Sequence, residues 1–306
     1  MFAPPPEVKT EVFARVPDQF RVRGRRSRWI ELLHQGEPMD SFLEGPSFDK
    51  AGNLWVVDIP WGRVFRVSPP GEFTLVAEYD GEPNGLKIHK DGRIFIADYK
   101  NGLLLLDPAS GRVTPHLDRP GIEPFKGLND LVFASNGDLY FTDQGQTGLH
   151  DPTGRLFRLR ANGQLDRLLE NVPSPNGLVF NPDETILYLA VTRGNCVWRV
   201  PLLKDGRISR VGIFVQLSGS LGGPDGLAMD EAGNLAIAHV GLGSVWLFSR
   251  LGEPIYRIRS AAGIRTTNLA YGGPDWKTLY ITESQTGTIL TARLDVPGQL
   301  MYSHMA

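Results

Sequence analysis

Six short segments of this chain open on a side chain that carries oxygen. They begin at Glu44, Asn84, Asn129, Asn176, Asp225 and Thr267, and read Glu-Gly-Pro, Asn-Gly-Leu, Asn-Asp-Leu, Asn-Gly-Leu, Asp-Gly-Leu and Thr-Asn-Leu. If the six positions converge, they supply two carboxylates, three amides and one hydroxyl, with no Cys or His. A donor set of oxygen alone suits a hard divalent cation: Ca2+ first, then Mg2+ or Mn2+, with Zn2+ and Fe2+ as further candidates. Two carboxylates facing each other in a narrow channel of low dielectric would repel, and a cation removes that conflict. Glu44 is the most telling member, because Glu is not a turn former. Asn-Gly and Asp-Gly also occur as turn dipeptides, and that plainer reading weighs most on Asn84.

Convergence requires a ring of repeats. Each copy is followed by a turn such as Lys90-Asp91-Gly92 or Ser135-Asn136-Gly137, and then by a second apolar run: Leu54–Val57, Ile94–Ala97, Leu139–Thr142, Leu187–Ala190, Leu235–Ala238 and Leu279–Thr282. These runs show little polar alternation, as expected of strands covered on both faces. A third run and a more polar fourth follow in most units. The period, roughly 40 to 49 residues, matches four-stranded propeller blades. The fold class expected is all-β: a single six-bladed β-propeller over residues 1–306, with blades at about 41–80, 81–120, 126–171, 172–217, 222–261 and 264–296. The last blade lacks an outer strand. The run at 9–16 has strand character and is expected to supply it, closing the ring and removing exposed sheet edges. Residues 17–40 read as a loop or short helix laid across one face as a lid.

Strand direction places a second set of residues at the same mouth. Fourteen positions beyond Glu44, Asn84, Asn129 and Asp225 stand Asp58, Asp98, Asp143 and His239; Val191 and Glu283 are equivalent in the other two units. Asp98, Asp143 and His239 are therefore candidates to touch a substrate, as are Asn84 and Trp61, which follows Asp58 closely.

The remaining features narrow the function. A net charge of -2 gives no basic field for nucleic acid. The one basic cluster, Arg21, Arg23, Arg25, Arg26 and Arg28, reads as a solvated loop. The single cysteine, Cys196, sits in an apolar strand pattern and reads as a buried small hydrophobe. The first residues lack the basic and apolar regions of a signal peptide, and no apolar run is long enough to span a bilayer. The expectation is a cytoplasmic protein, monomer or homodimer, acting on a small molecule, with no nucleic-acid or membrane partner.

Glu44-Gly45-Pro46, Leu128-Asn129-Asp130, Phe141-Thr142-Asp143, Ser174-Pro175-Asn176-Gly177-Leu178 and Gly223-Pro224-Asp225-Gly226-Leu227, in this order, resemble the senescence marker protein/gluconolactonase/luciferin-regenerating enzyme family over roughly residues 40–296. The resemblance implies a divalent metal held by Glu44, Asn176 and Asp225, with Asn129 contacting metal or substrate. Family members often carry a sugar-binding Arg shortly before that Asn; here Lys126 stands in that place as the substrate-binding candidate, without the planar fork of Arg. The activity implied is hydrolysis of a lactone, of a sugar acid first of all, with Asp225 as general base and Asn129 orienting the carbonyl. A phosphotriesterase with the same metal set, or a binding module with a structural metal, are the alternatives.

Overall fold

A computed structural model describes residues 3–305. Twenty-four strands form six antiparallel four-stranded sheets, and a twenty-fifth joins one edge. Blade one runs over Leu43–Phe48, Leu54–Asp58, Arg63–Val67 and Phe73–Glu78, paired in chain order. Blades two, three and four repeat this over Pro83–Leu117, Leu128–Val172 and Pro175–Gln216. Blade five spans Gly223–Arg259, and blade six begins with Thr266–Gly272 and ends with Thr288–Arg293. The chain is thus a six-bladed β-propeller. Among the described residues the only α-helix is Arg28–Leu33, and no helix is long and apolar enough to cross a membrane.

The core lies between blades. Leu86, Ile88, Ile94 and Ile96 of blade two pack on Trp55, Val57 and Val64 of blade one, and comparable clusters fill the other junctions. Cys196 is buried in one of these, beside Leu189 and Val200. Burial on both faces explains why the second strands read as unbroken apolar runs.

Closure uses two N-terminal strands. Glu11–Arg15 pairs antiparallel with Thr288–Arg293 as the outer strand of blade six. Glu7–Lys9 adds a parallel fifth strand to blade five, which the period did not foretell. Thr10 makes the switch between them: its N–H and Oγ1 both donate to Arg259 O, and its Oγ1 accepts from Ala261 N–H.

At the opposite end of the channel the C-terminal segment lies across the mouth. Tyr302 stacks on Phe133 at 4.9 Å, Ser303 Oγ donates to Phe48 O, and His304 meets Trp276 edge-on at 4.6 Å.

The repeated motif sits at an irregularity shared by all six blades. The register between the first and second strands shifts at Glu44/Ser47, Pro83/Gly85, Leu128/Leu131, Pro175/Leu178, Pro224/Leu227 and Thr266/Asn268. Such bulges release a residue from the ladder and re-aim its side chain. The motif glycines are not turn residues. Gly85 faces blade three so closely that an added Cβ would lie 2.7 Å from Asp130 Cα, a backbone atom. Gly85→Ala is therefore expected to destabilise the fold by about 1–3 kcal/mol, measured by urea denaturation; an unchanged midpoint would remove the close-approach argument.

Candidate functional site

At the motif end of the channel lies an open cavity of about 830 Å3. Its floor carries Glu44, Asn84, Asn129, Asn176 and Asp225, each nearly buried. Thr267, the sixth ring position, does not reach it. Its hydroxyl is taken by Leu43 O and Ser284 Oγ, and Asn268 turns inward in its place.

The two amides beside the carboxylates are oriented by their neighbours. Asn129 Nδ2 donates to Gln144 Oε1 at 2.9 Å, and Gln144 Nε2 donates onward to Ser174 Oγ. Asn176 Nδ2 donates to Thr192 Oγ1 at 3.1 Å, whose hydroxyl donates to Pro224 O. One hydrogen of each amide nitrogen is thus engaged, and the amide oxygen is the acceptor left to meet a cation.

The carboxylates are electrostatically strained. Burial pushes the Glu44 carboxyl up to about 8, helped by the charge of Asp130. Asp225 is also pushed up, first by burial and then by Glu44 and Asp130. A hard cation among Glu44, Asn129, Asn176 and Asp225 would relieve this conflict, so the donor set fits one. The set depends on amide oxygens: among the described residues no three His, Cys, Asp or Glu gather as a metal site on their own.

Two residues missed in the sequence sit under this floor. Asp130 and Asn268 occupy the position that is Gly45, Gly85, Gly177 and Gly226 in the other four copies. They come from opposite blades and meet on the axis: Asn268 Nδ2 donates to Asp130 Oδ2 at 3.2 Å and to Glu44 Oε2 at 2.8 Å. Lys87 Nζ stands 3.9 Å from Asp130 Oδ1. The signal was available, as a break in an otherwise regular glycine column. Asn268→Ala removes one of the two hydrogen bonds on the Glu44 carboxylate, so if the floor holds Ca2+ its affinity measured by calorimetry should fall on the order of tenfold. Unchanged affinity would leave the cross-brace with a packing role alone.

The second set of residues is at the same end but outside the cavity. Asp58 accepts from Phe42 N–H, Asp98 from Glu82 N–H, Asp143 from Lys126 and Gly127 N–H, and Glu283 from Arg265 N–H. Each ties down the segment that leads into its own motif. Asp58 and Asp143 also pair with Arg63 and Arg155. All four acids are fully buried, and burial pushes Asp98 up to about 6 and raises Asp58 and Asp143. His239 is fully buried too: Trp246 Nε1 donates to its Nδ1 and its Nε2 meets Asn195 Oδ1, both at 3.1 Å. Burial, then Arg257, lowers it to about 4, so it is a neutral ring with both nitrogens used. Asp98, Asp143 and His239 thus stand behind the wall as braces, because their acceptors are already spent on the protein.

Two further expectations also fall outside the cavity wall. Lys126 Nζ donates to exposed Thr153 Oγ1 at 2.8 Å. Trp61 Nε1 donates to Asp40 O and its ring packs with Trp29 and Ile59 under the 17–40 segment.

That segment does reach the site. Helix Arg28–Leu33 buries Trp29 and Ile30 against Phe42 and Ile59, and Trp29, Leu32, Leu33 and His34 join the cavity wall. The basic cluster staples the segment in place. Arg21 forks onto Asp40 and donates to Thr286 O, Arg28 pairs with Glu82, Arg23 with Asp18 and Arg26 with Glu31, while Arg25 lies over Trp61.

Comparison with known proteins agrees with this architecture. The family model described as "SMP-30/Gluconolactonase/LRE-like region" matches residues 42–285. The chain is 30% identical over 240 residues to the lactonase drp35 of Staphylococcus saprophyticus, covering 75% of this chain and 72% of that protein. A calcium-binding protein, regucalcin, from Agrobacterium tumefaciens superposes with a TM-score of 0.79 at 25% identity, covering 98% and 99% of the two chains. A gluconolactonase from Xanthomonas campestris shares the fold, with a TM-score of 0.73 at 21% identity over 92% and 98%.

Proposed function

The chain belongs to the SMP-30/gluconolactonase/LRE-like family, and from that premise we propose that it is a divalent-metal-dependent lactonase. The observation that carries the proposal is the convergence of Glu44, Asn129, Asn176 and Asp225 on one cavity floor with one hydrogen of each amide nitrogen engaged elsewhere. These four residues would hold the cation. When bound, it would polarise the lactone carbonyl and stabilise the negative charge that develops on the oxygen.

The protein's own groups do the rest. Asp225 takes the proton from the attacking water and returns it to the ring oxygen as the C–O bond breaks, giving the hydroxy acid. Asn129, held by Gln144 through one amide hydrogen, would orient the carbonyl with the other. Gln146 and Ser174, on the side of blades three and four, offer partners for hydroxyl groups of a sugar 1,4- or 1,5-lactone. The calcium-binding neighbour favours Ca2+ as the ion.

The test is turnover of gluconolactone and δ-valerolactone by chelated and cation-restored protein, with a phosphotriester as comparison. Loss on chelation and recovery with Ca2+ is expected for the lactones. Undiminished hydrolysis in excess chelator overturns the metal requirement, and turnover confined to the phosphotriester overturns the choice of electrophile.

A further inference from the structure

The cavity is two-sided. Going round the ring, blades two, three and four contribute polar side chains to its wall: Tyr99, Gln144, Gln146, Thr147, Ser174 and Thr192. Blades five, six and one are consecutive across the closure. With the helix above them, they contribute Val240, Ile264, Phe42, Ile59, Trp29 and Leu33. Above the floor, the polar side chains among the described residues of this second side are only three: Arg265, Gln285 and His34. Arg265 pairs with Glu37, Gln285 Oε1 accepts from Ile264 N–H, and the His34 ring lies against Trp29 and Phe42 at 4.5 and 5.3 Å.

Ten large hydrophobic residues are exposed among those described, and three of them rim this second side of the mouth: Leu32 at 47%, Leu221 at 83% and Ile264 at 43%, with Leu149 facing them from blade three. Exposed apolar groups gathered at one opening mark a surface that meets an apolar ligand. A substrate clothed in hydroxyls on every side would leave them unpaired against this half of the wall.

We propose that the substrate is a lactone whose ring carries an alkyl or aryl substituent, lodged between the helix and blades five, six and one, with Leu33 and Ile264 setting the preference for it. The assignment rests on the lactonase reading for the ring but not for the substituent, which contacts different residues.

Two non-hydrolysable probes separate the two claims. Binding of δ-valerolactam and of 6-hexyl-δ-valerolactam to the Ca2+-loaded protein is measured by calorimetry, alongside turnover of δ-valerolactone. Burial of about half the hexyl chain gives a ratio of dissociation constants of about 50 in favour of the substituted lactam. Ile264→Asn, at an exposed position, and Leu33→Gln should each reduce that ratio at least threefold. A ratio near one overturns the proposal, and so does a large ratio that neither variant moves, since the chain would then bind elsewhere. Failure of δ-valerolactone turnover counts against the lactonase reading alone, because lactam binding does not depend on hydrolysis.

Discussion

Asp225→Asn is expected to lower kcat for lactone hydrolysis by about 10²–10⁴-fold while keeping an oxygen donor at the site. The residue is the proposed base, and its ionised form is favoured by a hydrogen bond from Asn176 and by the charge of Arg193. Glu44 is less suited to proton transfer. Its Oε2 already accepts from Gly45 N–H and from Asn268 Nδ2 at 2.8 Å each. Measuring kcat beside Ca2+ affinity separates the roles: loss of the cation would lower both, whereas loss of the base alone leaves binding within about tenfold. A variant with more than a tenth of wild-type kcat would move the base to another group.

The second large effect is a pH dependence whose sign depends on the cation. In chelated protein the Glu44 carboxyl titrates at about 8 instead of its ordinary 4.5, because burial and Asp130 disfavour the charge, and Asp225 is shifted the same way. The folded state then holds protons that the unfolded chain has lost. This contribution to stability is fully present below pH 4.5 and is lost as the pH rises through 8. The melting temperature of chelated protein should therefore fall between pH 5 and 8.

With Ca2+ the slope should reverse, because an ion held by the carboxylates would compete with protons. Affinity should rise over the same window, with proton release visible as a dependence of calorimetric heat on buffer ionisation enthalpy. A melting temperature of the chelated protein that is flat from pH 5 to 8 would show that the two acids do not share a buried, uncompensated environment.

Much of this architecture is legible in the chain because the repeat is regular. Turn chemistry, apolar second strands and the spacing of the motif all point to blades, and the missing outer strand points to the N-terminus. The floor residues are legible for the same reason: a residue type that recurs at one place in every unit must face one place in the ring. What lies behind them is not. Asp98, Asp143 and His239 recur as regularly as the floor residues, and periodicity cannot distinguish a side chain that faces a cavity from one that braces the strand leading to it. The distinction lies in hydrogen bonds to backbone N–H groups, which no spacing records. Asp130 and Asn268 show the converse, since they were hidden in the regularity and are significant because they break it. The helix over the mouth belongs to no repeat, so its apolar wall becomes visible only in three dimensions.

The channel has a single door. Asp130 and Asn268 meet on its axis directly beneath Glu44, and Tyr302, Ser303 and His304 lie across the far end. Nothing that enters can pass through; traffic at the site is a queue. On the proposed reading, a ring-opened hydroxy acid would leave by the route the next lactone uses, and its new carboxylate would compete for the same cation. The product should therefore inhibit competitively, read as a rise in KM for the lactone with kcat unchanged when the hydroxy acid is added.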